Sequence, residues 1–141
     1  MKVVRGILAG ISFGIISEAF GWLIYGLLFA KWGEQASQLS RPMDSLTWRI
    51  GMPLADILNG LMIVLAFALL YKGIPGTGLK KGLVFGLILW LIVGLAGQLF
   101  WYTMSPIPFM LLVAGWLQVL IAMSLGGLTI SAIYGKSLES I

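Results

Sequence analysis

The chain has 141 residues, of which 60% are hydrophobic and 10% are charged. A soluble domain carries roughly 25% charged residues, so this composition excludes a water-facing shell, and we expect most of the solvent to be lipid. Because the chain has no cysteine and no histidine, it cannot form disulfides and lacks the commonest ligands of haem, copper and zinc, so we expect neither cofactor nor metal. The net charge of +4 is spread over segment ends, which favours contact with membrane lipids over nucleic-acid binding.

Four apolar segments are each long enough to span a bilayer, which needs about 20 residues. In chain order they are residues 6–28, 51–71, 80–102 and 107–134. The connection between the last two, MSPIP, is so short that these spans must form an antiparallel hairpin. The sequence therefore predicts an all-α membrane protein, with one four-helix domain over residues 1–141 arranged as two antiparallel hairpins.

The N-terminal segment and the first connection need separate interpretation. The N-terminal MKVVRGILAG begins like a signal peptide, but the apolar region that follows is too long for one, so we expect a retained first span. The first connection, KWGEQASQLSRPMDSLTWRIG, is polar and the longest of the three. It is predicted to hold a short interfacial helix from about Asp44, with Trp48 among the lipid headgroups.

Lysine and arginine are distributed unevenly between the two sides of the predicted bundle. One side has Lys2, Arg5, Lys72, Lys80, Lys81 and Lys136, and the other has Lys31, Arg41 and Arg49. Since cytoplasmic loops carry an excess of these residues, this asymmetry predicts that both termini are cytoplasmic, in what we expect to be a bacterial inner membrane.

Glycines recur along one face of the first and third spans, where small residues let helix backbones approach closely. The expected helix-packing positions are Gly6, Gly10, Gly14, Gly21, Gly82, Gly86 and Gly97. RGILAG at 5–10 aligns with KGLVFG at 81–86, and the same offset pairs Gly21 with Gly97. The pattern predicts a duplication that relates two hairpins by an axis along the membrane normal, although glycine-rich helices also align by chance.

A carboxyl group lies near the centre of the first span, at Glu18 in GIISEAFGW. An ionised group at that depth costs about 2.5–3.5 kcal/mol on insertion scales. Holding an ordinary glutamic acid neutral at pH 7 costs a similar amount. We therefore expect Glu18 to bind a proton or a cation, and the alternative is a structural glutamic acid that stays neutral and hydrogen-bonded.

The other three spans also contribute polar side chains at comparable depth. We expect these side chains to line a polar cavity together with Glu18 and to be candidates for proton or substrate binding. They are Asp56, Asn59, Gln98 and Gln118. Arg49 lies on the same face as Asp56, so an ion pair between the two is an alternative role for that acid. No catalytic residue is predicted, because no nucleophile, triad or metal cluster is present.

FGWLIYGLLFAKWGEQ at 20–35, together with KKGLVFGLILWL at 80–91, resembles a group of small bacterial four-helix membrane proteins of unknown function. This resemblance implies four spans and no particular activity. The chain is more loosely similar to the small multidrug resistance transporters, which are four-span proteins whose first span holds a glutamate that binds protons and cations in turn. That similarity implies the same role for Glu18.

Three functions follow from these observations. The first hypothesis is a proton- or cation-linked transporter or permeation protein that acts as a homo-oligomer, because 141 residues provide few walls for a pathway. The second is a non-catalytic membrane subunit that packs against a larger complex of other subunits through the glycine faces. The third, an enzyme acting on a lipid with two acids, is disfavoured by the lack of histidine, cysteine and any nucleophile pattern.

Overall fold

The computed structural model describes residues 2–36, 42 and 44–138, and all regular structure within them is helical. The helices are α1 (Lys2–Leu28), α2 (Ala30–Ala36), α3 (Leu46–Leu70), α4 (Gly78–Met104) and α5 (Phe109–Leu138). As predicted, four of them, α1, α3, α4 and α5, are long and apolar enough to cross a membrane. Their apolar side chains remain largely exposed in the isolated chain, as expected for helices that face lipid.

The first connection differs from the expectation of an interfacial helix at Asp44. The Oγ of Ser45 accepts a hydrogen bond from the backbone N–H of Trp48 at 3.3 Å, so Ser45 caps α3 and the long helix begins at Leu46. Trp48 therefore belongs to the first turn of α3. The short helix of this connection is α2, and Arg41 lies outside the described residues.

Two of the long helices contain a π-helical segment of seven residues with nearly the same sequence. In α1 it is WLIYGLL, from Trp22 to Leu28, and in α4 it is WLIVGLA, from Trp90 to Ala96. In both, the indole ring lies over the glycine four residues later, where a Cβ would contact it. A third, shorter π-helical segment, Ser131–Gly135, lies near the end of α5. Widened turns of this kind are rare and occur frequently at functional sites.

The long helices pack as neighbours in the order α3, α1, α5, α4. The most extensive contacts join α1 to α3, α4 to α5 and α1 to α5. No comparably close backbone approach joins α3 to α4 among the described residues. These two helices meet through Phe67 and Phe85, whose ring centroids are 5.1 Å apart, and through Lys81, whose Nζ lies 4.0 Å from the ring centroid of Tyr71.

The basic residues assigned to one side of the membrane lie at one end of the bundle, which we call the lysine end. It contains the start of α1 and α4 and the end of α3 and α5. Arg5 Nη1 donates to Ser137 Oγ at 3.1 Å there, which joins the first helix to the last. The opposite end, which we call the tryptophan end, contains Trp48 and Trp101.

The closest helix contacts follow the same pattern in both halves of the chain. In the first half, a Cβ on Gly60 would collide with the carbonyl oxygen of Gly10, and Gly14 lies against the backbone of Asp56. In the second half, a Cβ on Gly127 would collide with the carbonyl oxygen of Gly82, and Gly86 lies against the backbone of Met123.

This packing corrects the register that the sequence repeat predicts. The repeat pairs Gly10 with Gly86, whereas the contacts match Gly10 with Gly82 and Gly14 with Gly86. The structural equivalence is therefore offset from the sequence alignment by four residues, about one helical turn. The symmetry is also incomplete, because α1 packs closely against α5 while α3 lacks the corresponding contact with α4.

Candidate functional site

Two carboxyl groups from different helices meet near the middle of the bundle. The carboxyl groups of Glu18 in α1 and Asp56 in α3 are close neighbours. Glu18 lies three residues from the midpoint of Lys2–Leu28, about 4.5 Å along the axis, and Asp56 lies two residues from the midpoint of Leu46–Leu70, about 3 Å. The close approach of Gly14 to the backbone of Asp56, one turn before Glu18, brings the two acids together.

Two neutral donors complete the acid pair. Ser17 Oγ donates to Asp56 Oδ1 at 3.1 Å, and the indole N–H of Trp22 donates to Glu18 Oε1 at 3.0 Å. Asp56 is thus bound by side chains of α1, and the alternative role of pairing with Arg49, seven residues earlier and exposed, is not what holds it. Trp22 is a contributor that the sequence reasoning missed, although its spacing of four residues from Glu18 places both on one helix face.

The proximity of the two acids has a direct chemical consequence. The hydroxyl of Ser17 and the indole N–H of Trp22 donate to Asp56 and Glu18, and a carboxyl oxygen can accept such hydrogen bonds whether the group is ionised or neutral. Loss or gain of a proton changes the charge of a site that lies deep in the apolar part of the chain.

Gln118 joins the acid pair to α5. Its Nε2 donates to the backbone oxygen of Ser17 at 3.4 Å, and Gly21 lies beside the same amide. Three of the five predicted site residues, Glu18, Asp56 and Gln118, are therefore grouped around Ser17.

Gln98 belongs to a second polar group, nearer the tryptophan end. Its Oε1 is buried and accepts no hydrogen bond from the described residues. The amide packs on Gly115 of α5, and the hydroxyl of Tyr25 in α1 lies against the same glycine. A Cβ at Gly115 would displace Gln98, so the glycine is needed for this arrangement. Neither Tyr25 nor Gly115 was among the sequence candidates, since a tyrosine and a glycine carry no distinctive signal in an apolar helix.

Asn59 does not join either group, which corrects the expectation that it faces the bundle interior. Its side chain is exposed, whereas the next residue, Gly60, is buried against α1. Adjacent residues differ by about 100° around a helix, so the contact with α1 turns Asn59 away from that helix.

The glycine positions also separate into two kinds. Gly6, Gly10, Gly14, Gly82 and Gly86 are buried against neighbouring helices. Gly21 is half-buried and has only the amide of Gln118 near it. Gly97 departs from the expectation of a packing role, because it is exposed and a Cβ there would meet no atom within 4 Å. The reason is that the π-helical turns before it shift the contact face of α4 towards Gly94.

The two best-formed depressions on the described surface are shallow, and neither is lined by Glu18 or Asp56. One follows residues 102–107, and the other lies on α1 among Ala19, Trp22, Leu23, Gly26 and Leu27. The predicted polar residues therefore form one cluster around Ser17, one separate amide that packs on Gly115 and one exposed amide in this conformation, and they do not line one shared chamber.

Comparison of the chain with protein-family models, with curated protein sequences and with solved structures returns no match. The functional conclusion therefore depends on the residues and their geometry.

Proposed function

We propose that this chain is an integral membrane protein that moves a proton or a cation across the bilayer, with Glu18 and Asp56 as the ion-binding site. The single observation that supports this proposal is the proximity of two carboxyl groups, contributed by two different helices near their midpoints, where Ser17 of α1 donates a hydrogen bond to Asp56 of α3. Ionisable groups within membrane spans are costly and mark ion pathways and proton relays. The looser similarity to the small multidrug resistance transporters, whose first span holds a glutamate, supports this role for Glu18.

In this proposal α1 with α3 and α4 with α5 insert as two antiparallel hairpins. Both termini and the lysine end then face the cytoplasm of a bacterial cell, following the excess of lysine and arginine at that end. Trp48 and Trp101 at the opposite end lie in the outer interface, where aromatic side chains are enriched.

The proposed cycle needs only proton exchange at the acid pair. With one proton bound the pair carries one negative charge, and a second proton makes it neutral. A monovalent cation that replaces the proton restores the same net charge, since carboxylate oxygens can ligate it. Binding of one ion therefore excludes the other, which is the requirement for coupling their movements.

The test uses Glu18→Gln and Asp56→Asn in proteoliposomes that contain a pH-sensitive dye, with a potassium diffusion potential as the driving force. Each amide can still donate to the remaining carboxylate, so the helix contact persists while the pair loses one of its two titratable carboxyl groups. We expect proton flux to fall to the level of empty liposomes in both variants. Asp44→Asn, which removes an exposed acid outside α3, is the matched control and should retain the flux.

A second candidate function, a non-catalytic subunit of a larger membrane complex, is favoured by the exposed Asn59. A side-chain amide that faces hydrocarbon lacks hydrogen-bonding partners and calls for another protein to cover it. The mass of the complex extracted in mild detergent separates the two functions. Foreign chains in constant ratio support the subunit, and flux from the purified chain alone supports transport.

A further inference from the structure

The exposed side of α3 carries a regular pattern of which the bundle itself uses only Ala66, which packs against the core. Residues at alternating spacings of three and four form a stripe, which we call the α3 seam: Met52, Ala55, Asn59, Met62, Ala66 and Leu69. Ala66 is half-buried, and the other five are exposed. The seam is centred about 130° around the helix from Gly60, which packs on α1. This spacing is that of the contact positions of a left-handed helix pair.

Asn59 occupies the middle of the seam and almost the middle of the helix. It is one residue from the midpoint of Leu46–Leu70, about 1.5 Å along the axis. A side-chain amide both donates and accepts hydrogen bonds, so a second asparagine placed opposite satisfies it. A single asparagine at such a contact position also fixes register and the number of helices in the pair.

We propose that a second copy of this chain docks on the α3 seam, in the same orientation, with Asn59 facing its equivalent across a two-fold axis along the membrane normal. The inference rests on the proposed function in so far as it needs α3 to lie in a bilayer. Self-complementarity selects the second copy as the occupant, because the same six side chains on both helices place Ala55 and Ala66 where the backbones approach and the two amides in one layer. Small residues and interhelical hydrogen bonds are what hold helices together in lipid.

The dimer bears on the proposed ion pathway, because Asp56 lies beside the seam. Asp56 precedes Asn59 by three residues, which places it about 60° around the helix and one turn towards the tryptophan end. Two copies therefore bring two acid pairs to opposite borders of one interface. A chain of this size, whose described residues enclose no shared chamber, gains walls for an ion pathway from the second copy.

The test is disulfide cross-linking in native membranes, and the natural absence of cysteine makes each single-cysteine variant unambiguous. Ala55→Cys and Met62→Cys lie on the seam, while Ile50→Cys and Leu54→Cys are also exposed on α3 but lie off it. We expect the first two to form a species of twice the 15.3 kDa chain mass and the other two to remain monomeric. Equal cross-linking at all four positions, or none at the seam, would overturn the proposal.

A second measurement isolates the amide. Energy transfer between labelled copies at varied lipid dilution gives the dimer dissociation constant, and we expect Asn59→Leu to raise it about threefold to thirtyfold, as loss of an interhelical hydrogen bond does. Leu54→Val, exposed on α3 and off the seam, should leave it unchanged. An unchanged constant in Asn59→Leu, or a foreign chain cross-linked at the seam in place of the second copy, sinks the proposal.

Proton flux measured on the same samples separates this inference from the proposed function. A seam-specific dimer without flux leaves the interface standing and removes the transport function. Flux from a chain that stays monomeric at every lipid dilution removes the interface and leaves the transport function standing.

Discussion

Gly60 packs on the carbonyl oxygen of Gly10, so the backbones of α1 and α3 touch without an intervening side chain. This contact holds the two helices in the register that joins Glu18 to Asp56. The same relationship recurs between Gly127 and Gly82 in the second half of the chain.

The glycine contact gives the first prediction. Gly60→Ala should destabilise the bundle by about 1–3 kcal/mol, because the added methyl group must push the two backbones apart. The free energy of unfolding, measured by circular dichroism in a titration of mild detergent with sodium dodecyl sulfate, reports the change. Gly97→Ala is the matched control, since nothing lies within 4 Å of its Cβ position. Equal effects in the two variants would show that helix propensity, and not the contact, decides the result.

The buried oxygen of Gln98 gives the second prediction. A buried acceptor without a donor costs about 1–3 kcal/mol, so Gln98→Met, which keeps the length and removes the polar atoms, should raise the unfolding free energy by about 1 kcal/mol. Gln118→Met should lower it by a similar amount, because that amide donates to the backbone of Ser17. Destabilisation by Gln98→Met would mean that the oxygen has a partner in the membrane.

The orientation gives the third prediction. Thr77 lies at the lysine end and Asp44 before the start of α3, and both are exposed. In intact cells, a thiol reagent that does not cross membranes should label Asp44→Cys and spare Thr77→Cys until the cells are opened. The reverse pattern would place both termini outside.

The apolar pattern was sufficient to predict four long helices, because lipid-spanning length and composition are strong local signals. The residues at which the helices begin and end were less predictable. The cap at Ser45 extends α3 by five residues beyond the predicted start at residue 51, and a serine in a polar loop gives little indication of which helix it caps.

The candidate site was predictable in part. An acid within an apolar span stands out, and so does an amide, which explains why Glu18, Asp56 and Gln118 were found. Whether two such groups meet depends on helix rotation, and the contact between Gly10 and Gly60 sets that rotation. The direction of the Asn59 side chain was not predictable in this way, because a residue next to a packed glycine lies about 100° away around the helix and can face another direction entirely.

The two halves of the chain differ in one dimension that bears on the acid pair. From the second packing glycine to the π-helical tryptophan is eight residues in α1, Gly14 to Trp22, but four in α4, Gly86 to Trp90. Four residues make about one turn, so the longer version keeps the tryptophan within about 40° of the same direction. Ser17 and Glu18 lie within that additional turn. The first half of the chain thus repeats the packing of the second with one additional turn in α1, and that turn contains Ser17 and Glu18, whereas α4 contains no acid.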